Sequence, residues 1–414
     1  MSQRLNVLIS AYACRPHEGS EPGVGWNLVL ELSKYHRIWV LTRGNNQIPI
    51  ETELSQHPVP DLNFIYCEPS QILAKLNQNL RIVHLHYYLW QLKAYWVAKK
   101  LHNEINFDIV HHVTYVRYST PSFLSFLPPP FIWGPVGGGE TTPNQFWQSF
   151  SLRGKIYEIL RESARRLGEV DPFVHQTAAR SSLARGTTQD TVDRLKALGA
   201  SEVEVYSQLG LSTSEIATLN LKSNNHERAT RFVSIGRLLH WKGFHLGLQA
   251  FAQANLPEDT EYWIIGDGPE RQHLQQLAAT LQIDHQVRFW SQLSREETLN
   301  KLGECLALIH PSLHESGGLV CLEAMAAGCP VICLNIGGPA IHVTEETGFK
   351  ISVQTPQQVI DDLASALRQI ARDPDLWQRC SQAGQERAQT QFSWESKGLA
   401  QAKLYQKLLQ VNSP

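Results

Sequence analysis

Short apolar runs of strand length recur along this chain, most of them followed by a polar, often glycine-bearing loop and then a stretch of helical period. In the first half, Leu5–Ala11, Ile38–Leu41, Phe107–Val110, Phe131–Trp133, Ser182–Arg185 and Val203–Val205 predict strands. In the second half, Phe232–Ile235, Tyr262–Ile265, Val287–Trp290, the run ending at Leu308 and Ile309, and Val331–Leu334 do the same. Helices are predicted from about Trp26 to Tyr35 and over Thr188–Leu198, the latter stopped by Gly199. Strand, loop and helix in alternation mean an α/β protein with parallel sheets. The stretch 221–231, LKSNNHERATR, is polar and aperiodic, so it reads as a linker. The expected organisation is an N-terminal doubly wound domain (1–220), a second one (232–391) and a terminal helix (392–414).

Length supports two cores, since 414 residues exceed one ordinary domain. A formal net charge of −2 gives no argument for nucleic acid. The seven cysteines show no metal spacing, and Cys321, Cys329 and Cys333 fall in apolar runs, as core thiols of a reducing compartment do. The opening MSQRLNVLISAYAC fits a first strand better than a signal peptide, and no apolar run reaches the length of a membrane span. The expectation is a cytoplasmic protein. Residues 75–104 and 151–169 are nonetheless basic, the first also aromatic, with Lys75, Arg81, Lys93, Lys99 and Lys100 in one and Arg153, Lys155, Arg161, Arg165 and Arg166 in the other. Such helices suit peripheral contact with an anionic membrane surface, and equally suit burial of the aromatics with solvated cations. Both readings stay open.

The densest chemistry lies in LIHPSLHESGGLVCLEAMAAGCPVICLNIGGP, residues 308–339. Strand, glycine loop, helix and strand follow one another, with Ser316 able to cap a helix beginning near Gly318 and Gly328 stopping it. A helix start opened by Gly317 and Gly318 offers free N–H groups and a positive dipole end to an anion. Glu315 and Glu323 would repel that anion but can accept from hydroxyls, so the ligand should carry both phosphates and polyols. A second loop, GRLLHWKG (236–243), puts Arg237 just past a strand end and Lys242 just before a helix, a bidentate fork and a point charge for a pyrophosphate.

These strings resemble the E-x7-E and G-R-x-x-x-x-K-G signatures of the retaining family 4 glycosyltransferases (glycosyl transferases group 1). The resemblance implies the GT-B fold, two Rossmann-like domains facing across a cleft, and a metal-independent hexosyl transfer. It implies a nucleotide-diphospho-sugar donor and a saccharide or lipid-linked acceptor, in polysaccharide or glycolipid biosynthesis, with no cofactor. Glu315 would hold hexose hydroxyls and Glu323 the ribose. Gly236, Gly317, Gly318, Leu319 and Val320 would approach the donor through backbone, and Arg237 and Lys242 would neutralise its phosphates. Trp290 ends the strand whose edge meets the base in that family. In the first half, only Gly23 and Gly25 of the CRPHEGSEPGVGWN loop match the family's donor-facing glycine pair. The family's D-x-x-H-x-H is matched by Asp108 and His111, with His112 displaced from the second position, so either His111 or His112 could face the sugar. His112, Tyr115 and Arg117 of that same expected loop, with Gly137 and Gly138 of GPVGGG, are assigned to the acceptor, and His111 joins Arg237, Lys242 and Glu315 as a catalytic residue. A sugar-nucleotide epimerase or glycogen-type phosphorylase of the same architecture, and a non-catalytic sugar-nucleotide-binding protein, are the alternatives. Gly266-x-Gly268 lacks its third glycine and does not indicate NAD, and Asp373-Pro-Asp375 reads as a turn between helices.

Overall fold

A computed structural model describes residues 4–69, 83–115, 117–223 and 230–411. Lys75, Arg81 and most of the expected linker lie outside them. The described strands form two wholly parallel sheets. The first contains β1 (Asn6–Ala11), β2 (Arg37–Arg43), β3 (Leu62–Cys67), β4 (Ile109–Thr114), β5 (Phe131–Val136), β6 (Leu183–Gly186) and β7 (Val203–Val205), in the order 3-2-1-4-5-6-7. The second contains β8 (Arg231–Ile235), β9 (Glu261–Ile265), β10 (Val287–Trp290), β11 (Ala307–His310), β12 (Val331–Leu334) and β13 (Gly348–Ile351), in the order 10-9-8-11-12-13. Each order reverses direction once, at β1/β4 and at β8/β11, which is where a doubly wound sheet binds its ligand.

Two strands, β3 and β13, lie outside the predicted set. β3 (LNFIYC) is apolar but only partly buried along its middle, and β13 is four residues opening on glycine. β4 runs four residues beyond the expected end at Val110. His111 and His112 therefore lie inside the strand and not on the loop after it.

The described chain divides into two compact units, and not at the linker alone. The first takes residues up to Gly139, Glu162–Leu209 and the chain from Trp394 onward; the second takes Glu140–Arg161 and Gly210–Ser393. Residues 140–161 and 210–220, expected in the first domain, thus cluster with the second. In the second unit, Phe244, Leu248 and Phe251 of the helix Phe244–Ala254 share a core with Val359, Leu363 and Leu367 of the helix Pro356–Arg372. Each such side chain contributes about 1.5–3 kcal/mol by burial. Thr355 caps the second of these helices, accepting from the Gln358 N–H.

The terminal helix Trp394–Val411 packs in the first unit against the helix Ser20–Ser33. Its Tyr405 is fully buried, with the hydroxyl 2.6 Å from His111 Nδ1. His111 Nε2 lies 2.7 Å from the Gly134 carbonyl, so Nε2 carries the proton and donates. Burial drives the His111 pKa down to about 3, so the ring is neutral and Nδ1 must accept from Tyr405. Tyr405→Phe would leave that buried nitrogen unpaired. We expect it to lower the unfolding free energy of this unit by about 1–3 kcal/mol in urea titrations.

Candidate donor-binding site

The second sheet brings the two charged loops together. β11 pairs directly with β8, Ala307 opposite Phe232 and Leu308 opposite Val233, and Ser234 Oγ lies 2.6 Å from the Ile309 carbonyl across the same seam. The loops leaving these strands at their carboxyl ends are therefore neighbours: Gly236–Gly243 from β8 and Pro311–Gly318 from β11. At their meeting point the Lys242 ammonium is bonded to the Glu315 carboxylate. Gly243 makes the approach feasible. It sits at φ 67°, and a Cβ there would stand 1.9 Å from the Pro311 carbonyl oxygen.

Glu315 is largely buried, and burial alone would raise its pKa. His310, whose Nε2 is 3.7 Å away, and the Lys242 charge outweigh this and hold it at about 2. The Glu315 backbone is fixed as well, its carbonyl accepting from the Gly338 N–H at 2.7 Å. Gly337, at φ 66°, passes so close that a Cβ would lie 2.4 Å from that carbonyl oxygen.

The helix after the loop is Leu319–Ala326, with Gly318 as its N-cap at φ 92°. No side chain caps it. Ser316, expected in that role, donates instead to Glu140 at 2.6 Å. The N–H groups of Leu319 and Val320 have no intrahelical acceptor, so the anion-binding end stays open. One turn on, Glu323 is bridged by Arg295, whose Nη2 is 2.8 Å from Glu323 and 2.9 Å from Glu215. Burial raises the Glu323 pKa, Arg295 opposing it. Arg237 is exposed and, among the described residues, has no ion pair.

Groups far away in sequence complete the setting. Glu158, from the segment 140–161, receives both His240 Nε2 and His314 Nε2 at 3.2 Å, tying the two loops to one carboxylate. Trp241 stacks on both Tyr157 and His314, ring centroids 5.0 Å apart in each pair. Burial would raise the Glu158 pKa; the two ring donors and the Arg161 charge reverse this to about 2. Glu140, Glu158 and Arg295 carry no local motif and were invisible to sequence reasoning. His310, directly ahead of the E-x7-E loop, could have been found from its position.

Other expectations are displaced. Gly23 and Gly25 lie inside the helix Ser20–Ser33, not in a loop. A Cβ at either would strike the backbone of the preceding segment, at Glu18 or Ala13, so they serve close helix packing. His112, like His111, is buried in β4; its Nε2 meets Tyr87 Oη at 3.1 Å and burial lowers its pKa to about 3. Tyr115 packs on Tyr12 and Tyr87. Arg117 bridges to Gly137, and Gly138 sits at φ 91° with open space where a Cβ would be. Arg271, at the position of the missing third glycine, donates to the carbonyls of Gly266, Phe289 and Trp290 at 3.3–3.4 Å. Trp290 itself lies under the Lys301 ammonium, 3.6 Å from the ring centroid. Asp373 caps the helix Pro374–Phe392 through the Leu376 N–H, and Asp375 lies in its first turn.

A model of the family described as glycosyl transferases group 1 matches residues 217–387. This segment is a group 1 glycosyl transferase domain. The matched span holds Arg237, Lys242, Glu315 and Glu323 together. The chain is 30% identical over 213 residues to the lipopolysaccharide core biosynthesis glycosyltransferase LpsE of Rhizobium meliloti, covering 50% of this chain and 59% of that one. It is 35% identical over 161 residues to LpsD of the same organism, covering 39% and 45%, and 33% identical over 173 residues to a glycogen synthase of Mycobacterium tuberculosis, covering 41% of each. The chain thus spans about half the length of the curated relatives it matches. Sucrose-phosphate synthase from Thermosynechococcus elongatus superposes with a TM-score of 0.66 at 18% identity, covering 99% of this chain and all of that one. Anabaena HepE, solved in complex with UDP, gives 0.61 at 19% identity over 97% and 100%. These likenesses establish the GT-B fold for the chain around the group 1 domain.

The Glu158 pair of bonds has a measurable signature. Its pKa lies below the unfolded value near 4.5, so its stabilisation is complete above that pH and is lost as pH falls toward 2. Glu158→Gln should lower thermal stability at pH 7 and flatten the dependence of Tm on pH between about 5 and 2, as read by scanning calorimetry.

Proposed function

We propose that the chain is a retaining, metal-independent glycosyltransferase. It moves a hexose-type sugar from a nucleotide-diphospho-sugar to a saccharide or lipid-linked acceptor in polysaccharide or glycolipid assembly. The observation that carries this is the Lys242–Glu315 contact across the β8/β11 seam. It joins a phosphate-binding loop to a hydroxyl-binding loop at one point. Relatives named for lipopolysaccharide core and glycogen synthesis support the substrate class, and the HepE complex with UDP supports the donor type.

Arg237 and Lys242 take the charge of the donor pyrophosphate, helped by the N–H groups of Leu319 and Val320. Lys242 is then shared between phosphate and Glu315, which stays ionised and accepts from sugar hydroxyls. Glu323 accepts from the ribose, exchanging part of its bond to Arg295. The bond from the anomeric carbon to the phosphate oxygen breaks as that carbon bonds to the acceptor hydroxyl oxygen on the same face. The hydroxyl proton passes to the departing phosphate. In the first unit, Arg117 and the Gly137–Gly138 backbone are the groups proposed for the acceptor; His111 and His112 are not, being sealed in β4.

Arg237 makes the cleanest test. Arg237→Ala should leave Tm unchanged while lowering transfer by about 10²–10³-fold. A panel of UDP-, GDP- and ADP-sugars, scored for thermal stabilisation and for slow hydrolysis in the presence of a chelator, should show a response to at least one donor. No response to any donor would overturn the reading, and conversion of a donor without acceptor would indicate an epimerase.

A further inference from the structure

Glu323 is a buried carboxylate whose acceptor capacity is unused. It lies in the helix Leu319–Ala326, 8% exposed, and among the described residues no hydrogen bond reaches either of its carboxylate oxygens. What it has is a countercharge: Arg295 Nη2 stands 2.8 Å from Glu323 Oε1 as an ion pair. The hydrogen bond from that nitrogen goes to Glu215 Oε1, at 2.9 Å. Three helices of the second unit meet at this point: Thr213–Ser223 with Glu215, Arg295–Gly303 with Arg295, and Leu319–Ala326 with Glu323. A buried carboxylate is ordinarily met by donors as well as by charge. Glu323, given only the charge, is set to accept from a ligand.

Arg295 is itself fixed in place. It opens its helix, whose start is set by a capping box: Ser294 Oγ accepts from the Glu297 N–H at 3.2 Å, and Glu297 Oε2 accepts from the Ser294 N–H at 2.9 Å. The positive end of a helix disfavours a cation, so the carboxylates of Glu215 and Glu323 are what hold the guanidinium there. Glu215 precedes the matched span 217–387, so this clamp reaches beyond the group 1 domain. Burial and the Glu215 charge both push the Glu323 pKa up, and Arg295 is the group that opposes them. Among the described residues those two are the charges acting on Glu323. Cys321, on the same helix, is kept protonated by burial. The helix Pro374–Phe392, packed on that helix, meets it with Gly384 against Met325.

We propose that Arg295 is a positioning residue for the nucleotide ribose, clamped by Glu215 so that its charge leaves Glu323 able to accept from the ribose hydroxyls. This rests on the donor reading above. The test is calorimetric titration of the full chain with UDP, GDP and ADP and with the 2′,3′-dideoxy form of each. The wild-type chain should bind at least one ribonucleotide about 10–100-fold tighter than its dideoxy form at neutral pH, as hydrogen bonds to a charged acceptor allow. Arg295→Gln should shrink that preference to about twofold while leaving the dideoxy affinity unchanged. The preference needs Glu323 ionised, so it is present above the Glu323 pKa and lost below it; without Arg295 that loss moves to higher pH. Arg295→Lys, which keeps the charge, should restore the preference and its wild-type pH midpoint. If Arg295→Gln weakens ribo- and dideoxynucleotides equally, Arg295 only braces the helices and the proposal is overturned. It is also overturned if that variant binds ribonucleotide as tightly as wild type, or tighter. A wild-type chain that binds both forms equally overturns the ribose role and leaves nucleotide binding standing. One that binds no nucleotide overturns the donor reading and this proposal together.

Discussion

The parallel pairing of β8 with β11 is the constraint on which the proposed donor site rests. These strands are 70 or more residues apart in the chain, with two strands and three helices between them. Hydrogen bonding them side by side reverses the winding of the sheet, so the loops at their carboxyl ends have no helix packed between them. Two loops that are each ordinary strand-to-helix turns become one surface. Opposite charge then does the rest: Lys242 meets Glu315, and the acid that burial would neutralise stays ionised.

A second layer of support comes from chain that sequence order assigns elsewhere. Glu140 fixes Ser316, and Glu158 fixes His240 and His314, so both loops are held by carboxylates of the 140–161 segment. Buried carboxylates of this kind are stable only when their acceptor capacity is used, which is why each has identifiable donors.

Much of the fold was legible because strands buried on both faces read as unbroken apolar runs. β8, β9 and β12 lie at or within one residue of Phe232–Ile235, Tyr262–Ile265 and Val331–Leu334. β13, four residues opening on Gly348, offers too short an apolar run to be legible, whereas β3 carries one in Leu62–Cys67 that Asn63 interrupts. β4 misled in the other direction, because histidines ordinarily end a buried run; here Gly134, Tyr405 and Tyr87 satisfy them inside the strand. Ser316 misled too, since a carboxylate 176 positions away captured the hydroxyl that local rules assign to the helix cap.

The sequence by itself determined the α/β class, the two parallel sheets and the two loops that carry charge. Those features are encoded locally, in apolar runs, glycine positions and the identities of Arg237, Lys242, Glu315 and Glu323. Only the tertiary structure decided that Glu323 is held by Arg295, that Glu158 ties the two loops, and that Gly23 and Gly25 pack a helix instead of lining a loop. These outcomes depend on which distant group reaches a given polar atom first in a low-dielectric interior. No spacing along the chain records that.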